Sequence, residues 1–351
     1  MVRSTVDYYT FTVRPRRKDP HIPRGVIDLG DGHSILSYLC GFLEYQKGRI
    51  LRDERKQRIY SVKGYEIHGR LILIDLLSGQ YGEESHVMDI LNGRIVTDIS
   101  TEQAAVRNLR IVFCCPKADG IPHAIFAVEH VDSINGYYLI DQFAKCMRRQ
   151  FDDSFMPIKA ILEKEAWLES SNLHEMSIKI GSSDQQVTLD NGLDDEPKET
   201  LFGQMVLTIK PAKGFSFFNP RFWKLMLKPT LERAGILTIP ALSDEKIDKY
   251  DVSVTAVGAD KRQKRFTIGN EKYPKIRELL TDYGVPRLDN GAIRRTLAES
   301  IFDKYRDEQI HLERGWDDGP LRETIISVND IDWGKLMRAQ VEEGDEDEAL
   351  E

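Results

Sequence analysis

The sequence predicts an α+β fold: an antiparallel β-rich module with flanking helices, followed by a second α+β module that carries a basic β-hairpin. Three observations support this class. Short β-branched and aromatic runs separated by Gly-containing turns fill residues 58–134, as in an antiparallel meander. Apolar residues recur at helical spacing on both sides of that region. An acidic stretch without aromatics, residues 181–200, separates this part from a basic one.

The first module is predicted from its N-terminus onward. Residues 6–13 are rich in β-branched and aromatic residues and indicate a strand. Ser34 is a plausible N-cap for a helix over 35–46. Residues 137–151 form an amphipathic pattern whose C-terminal arginines suit the end of a helix.

The second module is predicted by the same rules. Its expected strands are 204–209, 251–257 and 265–268, and its expected helices are 221–234, 273–283 and 292–312. The predicted organisation is therefore an N-terminal module at 1–180, an acidic linker or loop at 181–200, a basic module at 201–340, and a disordered acidic tail at 341–351.

Composition narrows the class of protein. The chain has 351 residues, of which 41% are hydrophobic and 30% charged, as in ordinary globular proteins. The N-terminal residues lack the apolar segment of a signal peptide, and the longest apolar run is too short to span a bilayer. The four cysteines form no CxxC pair and indicate buried thiols in a reducing compartment. We expect a cytoplasmic protein without a membrane span.

Catalytic motifs do not emerge from the sequence. Residues 30–35 (GDGHSI) hold two of the three glycines of a dinucleotide fingerprint, but a turn leading into a capped helix explains them better. Asp28, Asp31 and His33 lie in the same turn, where Asp and Gly are expected for backbone reasons. We therefore predict no enzyme activity, no cofactor and no metal site, although a catalytic triad assembled in space stays open.

The charge distribution is the positive signal. The net charge of −8 conceals seven acids in 341–351 and a net of −5 in 181–200, which leaves +4 on the rest of the chain. Residues 201–265 hold twelve basic and six acidic residues. Clustered cations favour a polyanionic partner, because each one that meets a phosphate releases condensed counterions.

We predict that phosphate contacts come from this basic segment, in its strand end, its helix and its hairpin tip. The residues are Lys210, Lys213, Arg221, Lys224, Lys228, Lys261, Arg262, Lys264 and Arg265. Two further clusters extend a basic track: Lys47, Arg49, Arg52, Arg55, Lys56 and Arg58, and then Arg14, Arg16, Arg17 and Lys18. None of these segments contains a helix-turn-helix, zinc-finger or RNP signature, so base-specific readout is not indicated.

The order of parts resembles the RexA-like phage exclusion proteins. The matching segments are VLTIKPAKG (206–214), with Lys210 and Pro211 the nearest match, and the hairpin VSVTAVGADKRQKRFTIG (252–269). The resemblance implies a two-domain, homodimeric protein that binds double-stranded DNA with little sequence preference, acts in phage exclusion or defence, and has a possible second protein partner.

Two other functions stay open at this point. One is a metal-dependent nuclease of a defence system, whose carboxylates the sequence does not identify. The other is a protein-interaction subunit whose charged hairpin meets an acidic partner. Metal-dependent cleavage of plasmid DNA distinguishes the first, and co-purification of a protein without nucleic acid distinguishes the second.

Overall fold

The computed structural model describes residues 3–15, 25–117, 121–132, 134–162, 172–180, 205–210, 251–257, 263–268 and 276–338. It is an α+β structure with a large antiparallel sheet, which confirms the predicted fold class. The chain forms two compact units: unit 1 comprises Met1–Ala160 and Leu280–Glu351, and unit 2 comprises Ile161–Leu279. These boundaries differ from the predicted modules, which assigned residues 201–340 to one C-terminal module.

Unit 1 is built around the predicted meander. Its strands are β1 Ser4–Thr12, β2 Arg14–Pro15, β3 Ile50–Asp53, β4 Arg58–His68, β5 Leu71–Gln80, β6 Ser85–Met88, β7 Ile95–Ile99, β8 Ala105–Cys114, β9 His123–Val131, β10 Ile134–Asn135, β11 Ser154–Phe155 and β12 Ile158–Ala160. The main sheet runs β1-β9-β8-β5-β4-β3, and every pairing in it is antiparallel. Strands β6 and β7 form a separate two-stranded hairpin, and β2 pairs with β11.

Helices cover both faces of this sheet. They are α1 Ile35–Gln46, α2 Tyr137–Gln150, α3 Asn290–Asp307 and α4 Trp333–Arg338. Phe11 on β1 packs against Phe143 of α2, whereas Tyr8 donates a hydrogen bond to Ser300 of α3 at 2.9 Å. Because side chains alternate along a strand, positions 8 and 11 lie on opposite faces. The α3 packing explains why residues after 280 belong with unit 1.

Both predicted helices of the N-terminal region are confirmed. Helix α1 begins after Ser34, whose hydroxyl accepts a hydrogen bond from the Ser37 amide. This contact satisfies one of the amides that a helix N-terminus leaves without an intrahelical partner. Helix α2 carries Arg148 and Arg149 in its last turn, as predicted.

The predicted helix over 273–283 is wrong. Residues Arg277–Thr281 form a strand, in which Arg277 and Glu278 pair with Arg265 and Lys264 of the strand Gln263–Ile268. Arg, Glu and Leu favour helix in isolation, but pairing with a neighbouring strand overrides that preference. The following helix, α3, has the predicted buried stripe but ends at Asp307, five residues early. Gln309 there has a positive φ of 64°, and the Ile310 amide donates to the Tyr305 carbonyl, as in a Schellman ending.

Unit 2 is described through its strands. They are β13 Asn172–Ile180, β14 Met205–Ile209, β15 Asp251–Val257, β16 Gln263–Ile268 and, from its first residues, β17 Arg277–Thr281. They follow the order β14-β13-β15-β16-β17, antiparallel throughout the described pairs. This confirms the strands predicted at 204–209, 251–257 and 265–268. The predicted helix 221–234, the linker 181–200 and the tail 341–351 lie outside the described residues.

The predicted burial of the cysteines is confirmed. Cys40, Cys114, Cys115 and Cys146 are all buried and free. Burial raises the pKa of the Cys115 thiol to about 11 and that of Cys146 to about 12. The thiols are therefore protonated at neutral pH and unreactive. Within the ranges the structure describes, no helix has the length and apolar character to span a membrane.

Candidate nucleic-acid interface

Three of the nine predicted phosphate-binding residues lie in described segments: Lys210, Lys264 and Arg265. The other six lie outside the described residues: Lys213, Arg221, Lys224, Lys228, Lys261 and Arg262. The structure brings Lys264 and Arg265 onto one strand, β16, and places Lys210 directly after β14.

Lys210 has the exposure that a phosphate contact requires. Its side chain is 64% exposed, and its Nζ lies 3.1 Å from Glu175 Oε2 on β13. The Glu175 side chain is only 16% exposed, so a phosphate group would have to share the Lys210 ammonium group with a largely buried carboxylate.

Lys264 does not project into solvent from a hairpin tip, and that prediction is wrong. The residue belongs to β16 and is only 8% exposed. It lies between Ala256 of β15 and Glu278 of β17, and Glu278 is equally buried. The strand begins at Gln263, two residues before the sequence suggested, so strands cover Lys264 on both sides. Arg265 occupies the next strand position, opposite Thr255 and Arg277.

A second basic cluster, predicted only as an extension of a basic track, carries exposed cations in unit 1. We call residues 47–58 the basic edge. They comprise the three residues before β3, β3 itself, the turn after it and the first residue of β4, and β3 ends the strand order of unit 1. The segment holds six basic and two acidic residues, a net charge of +4. Five cations are exposed: Lys47, Arg49, Arg52, Arg55 and Lys56.

The backbone of the basic edge is held in place by specific contacts. Asp53 is buried, and its Oδ1 accepts a hydrogen bond from the Lys56 amide at 3.2 Å, which fixes the turn. The Tyr138 hydroxyl donates to the Arg52 carbonyl at 2.9 Å. One of the two acids thus serves the turn from a buried position. At the surface, Lys47 Nζ lies 4.0 Å from Glu44 Oε1, and Glu54 is exposed in the turn.

Arg49 is positioned more tightly than the other exposed cations. Its Nε donates to the Tyr45 carbonyl at 2.8 Å, and its guanidinium carbon lies 4.3 Å from the centre of the Tyr45 ring. A planar guanidinium held this way is preorganised to donate to phosphate oxygens.

The turn at 28–33 serves the backbone, as the sequence suggested. Asp28 Oδ1 accepts hydrogen bonds from the Gly30 and Gly32 amides at 2.8 and 3.0 Å, and Asp31 Oδ1 accepts one from His33. Gly30 and Gly32 have positive φ values of 94° and 82°, which glycine adopts without strain. Across the described part of the chain, no group of three or more His, Cys, Asp or Glu residues is arranged to hold a metal.

Sequence analysis missed a buried ionic network in unit 1. Glu129 is fully buried in β9 and accepts from Arg110 Nε and Nη2 at 3.0 Å each; Arg287 Nη2 lies 2.8 Å from its Oε2. The signal in the sequence is a single acid inside the apolar run HAIFAVEHV. Buried charges require partners. Two arginines and one glutamate, with Arg110 also bonded to the Leu288 carbonyl, meet that need.

A second buried group is His123, at the first position of β9. Its ring stacks on Tyr305 of α3 with centroids 5.6 Å apart, and its carbonyl accepts the Tyr305 hydroxyl. Burial lowers the pKa of His123 to about 4. The ring is therefore neutral at pH 7 and acts as a packing element.

No protein-family model matches this chain, and no curated protein sequence matches it. The resemblance to RexA-like proteins accordingly stays a prediction.

Proposed function

We propose that this chain is a non-catalytic protein that binds double-stranded DNA without sequence preference. The observation that carries the proposal is the basic edge, with five exposed cations within ten residues and a net charge of +4. Like charges this close repel one another, and a row of phosphates would relieve that repulsion. Nonspecific binding draws its free energy almost entirely from such contacts.

The chemistry of the basic edge suits backbone contact. Lys and Arg side chains reach phosphate oxygens from a surface hairpin, and such contacts position a protein on the duplex without reading its sequence. A hairpin that ends a sheet can lie along the duplex, as two-stranded ribbons do in other DNA-binding proteins.

The basic segment 201–265 belongs to the same proposal. Lys210 is an exposed cation there, and Lys213, Arg221, Lys224, Lys228, Lys261, Arg262 and Arg265 remain predicted contacts. Buried Lys264 is withdrawn from the set of exposed phosphate ligands. The homodimeric state and the role in phage exclusion or defence are proposed from the RexA-like resemblance.

The experiment that tests this proposal is a gel shift with unrelated duplexes at several salt concentrations. We expect the triple variant Arg52→Gln, Arg55→Gln, Lys56→Gln to weaken binding equally for every sequence. The slope of log affinity against log salt should fall by up to about 2.7, since each phosphate contact contributes about 0.9. The three side chains are exposed, so stability should change little.

A matched control removes three exposed cations that lie elsewhere in unit 1: Lys117, Lys159 and Arg322. That variant has the same net charge as the triple variant and should keep the original slope. Equal losses in both variants would mean that net charge alone matters. Absence of binding by the unmodified protein at low salt overturns the proposal.

A further inference from the structure

A protruding hairpin in unit 1 has properties that DNA binding does not use. We call residues 81–104 the arm; it contains β6, β7 and the turn between them, and it connects β5 to β8. Strands β6 and β7 pair only with each other in the described part of the chain. No strand of the described residues covers either outer edge of this two-stranded ribbon.

The arm exposes large apolar side chains. At its tip, Ile90 and Leu91 are 95% and 92% exposed, and Met88, Ile95 and Val96 beside them are each more than half exposed. Isolated exposed apolar residues are common on protein surfaces, but five of them lie on this one short hairpin. Such a concentration of exposed apolar side chains is typical of a protein interaction site.

The charge of the arm excludes a polyanion as its partner. It holds five acids and one base, a net charge of −4, with Arg94 the single cation. Nucleic acid and anionic lipid would be repelled by such a surface. A partner surface should instead combine cations with an apolar centre and an open strand edge.

The basic edge of this same chain has all three properties. It carries a net charge of +4, it includes Ile50 at 59% exposure, and β3 has no strand on its outer side within the described residues. The four residues of β3 match the four of β6 in length. Strand addition at an open edge supplies main-chain hydrogen bonds, and the side chains then determine the partner.

We propose that the arm of one copy docks on the basic edge of a second copy, and that the two copies exchange arms reciprocally in a symmetric dimer. In the exchange, each arm, with a net charge of −4, contacts a basic edge with a net charge of +4. The contact also covers exposed apolar side chains of both copies, which are Ile50, Ile90, Leu91 and Ile95. A twofold axis makes the two contacts equivalent, which closes the assembly at a dimer.

A consequence follows that rests on the proposed function. The docked arm covers the cations that would contact phosphates, so the dimer and the DNA complex compete for one surface. Duplex DNA should dissociate the dimer, and loss of the arm should tighten DNA binding. The dimer itself requires only the arm and the basic edge.

The test measures the molar mass of the protein by sedimentation velocity or light scattering over a range of protein concentrations. We expect a dimer for the unmodified chain and a monomer for Ile90→Ser with Leu91→Ser; the tip residues are so exposed that folding should be unaffected. The control Tyr283→Ser with Val285→Ser changes two exposed apolar residues outside the arm and should stay dimeric.

Charge reversal makes the assignment of the two surfaces specific. The change Glu83→Lys with Glu84→Lys in the arm should give monomers, as should Arg55→Glu with Lys56→Glu in the basic edge. All four changes in one chain should restore the dimer. A monomeric unmodified chain, a dimer insensitive to the arm changes, or monomers with all four changes would each overturn the proposal.

DNA titration separates this proposal from the proposed function. If DNA binds but the mass readouts show no arm-dependent dimer, the arm proposal fails and the DNA-binding function stands. If the arm-dependent dimer forms but no duplex binds at low salt, the function fails and the dimer stands. A dimer that binds DNA without dissociating refutes the competition between the two.

Discussion

At the scale of single residues, the buried charges of unit 1 are a matter of stability. Glu129 is fully enclosed between two guanidinium groups and also accepts a hydrogen bond from the backbone amide of Arg110. A carboxylate in this position satisfies donors that have no access to water. Its removal would leave Arg110 charged in a buried site without a counterion.

We expect Glu129→Gln to lower the free energy of unfolding by about 3 kcal/mol or more, the typical cost of breaking a buried ion pair. Chemical denaturation measures it. The control is Asp132→Asn, which breaks the half-exposed pair of Asp132 with Arg107 and should cost less than about 1 kcal/mol. If both variants lowered the free energy of unfolding by the same small amount, the buried network would contribute no more to stability than a surface ion pair.

His123 gives unit 1 a defined pH dependence. Burial lowers its pKa from 6.5 to about 4, so the unfolded chain binds a proton at a higher pH than the folded one does. Stability should therefore be lost as pH falls from about 6.5 to about 4, on the order of 2 kcal/mol by pH 5. His123→Phe keeps the ring stack on Tyr305 and should reduce this loss relative to the unmodified protein. Identical pH profiles for both proteins would contradict the assignment.

At the scale of elements, sequence patterns predicted most of unit 1 because local and tertiary preferences agree there. Helix α1 has its cap at Ser34, and α3 has its buried stripe from Ile293 to Tyr305. The strand residues 277–281 were predicted as helix because their partner is β16, which no local pattern reveals.

In the candidate site, too, local sequence patterns did not predict contacts between segments that are far apart in the chain. The cations at 47–58 were identified from the sequence, and their exposure follows from a short hairpin at a sheet edge. The burial of Lys264 did not follow, because it depends on strands on both sides of β16. The partners of Glu129 are likewise remote in sequence, with Arg287 lying 158 positions away. Contacts of this kind are set by topology alone.

At the scale of the whole molecule, unit 2 is an insertion within unit 1. The chain leaves unit 1 after Ala160 and returns at Leu280. Composition predicted a boundary at 181–200, because an acidic stretch marks a change in solvation. Composition carries no information on which segments pack together, so it did not predict the return of the chain to unit 1 at Leu280. The points of exit and return are neighbours, since the Ile276 amide donates to the Ile161 carbonyl at 3.0 Å.

This arrangement predicts that unit 1 folds by itself. We expect a protein in which residues 163–275 are replaced by a short Gly-Ser linker to unfold in one cooperative transition, because the α1, α2 and α3 contacts with the sheet all lie within unit 1. It should also bind duplex DNA with a measurable salt dependence, since the basic edge is retained. Thermal unfolding followed by circular dichroism and gel shifts on the same preparation provide the measurements.

A broad, non-cooperative transition would show that unit 1 depends on the insertion. Cooperative unfolding without any DNA binding would show that the principal phosphate contacts lie in the basic segment 201–265, which includes Lys210. The basic edge would then serve only as the binding surface for the arm.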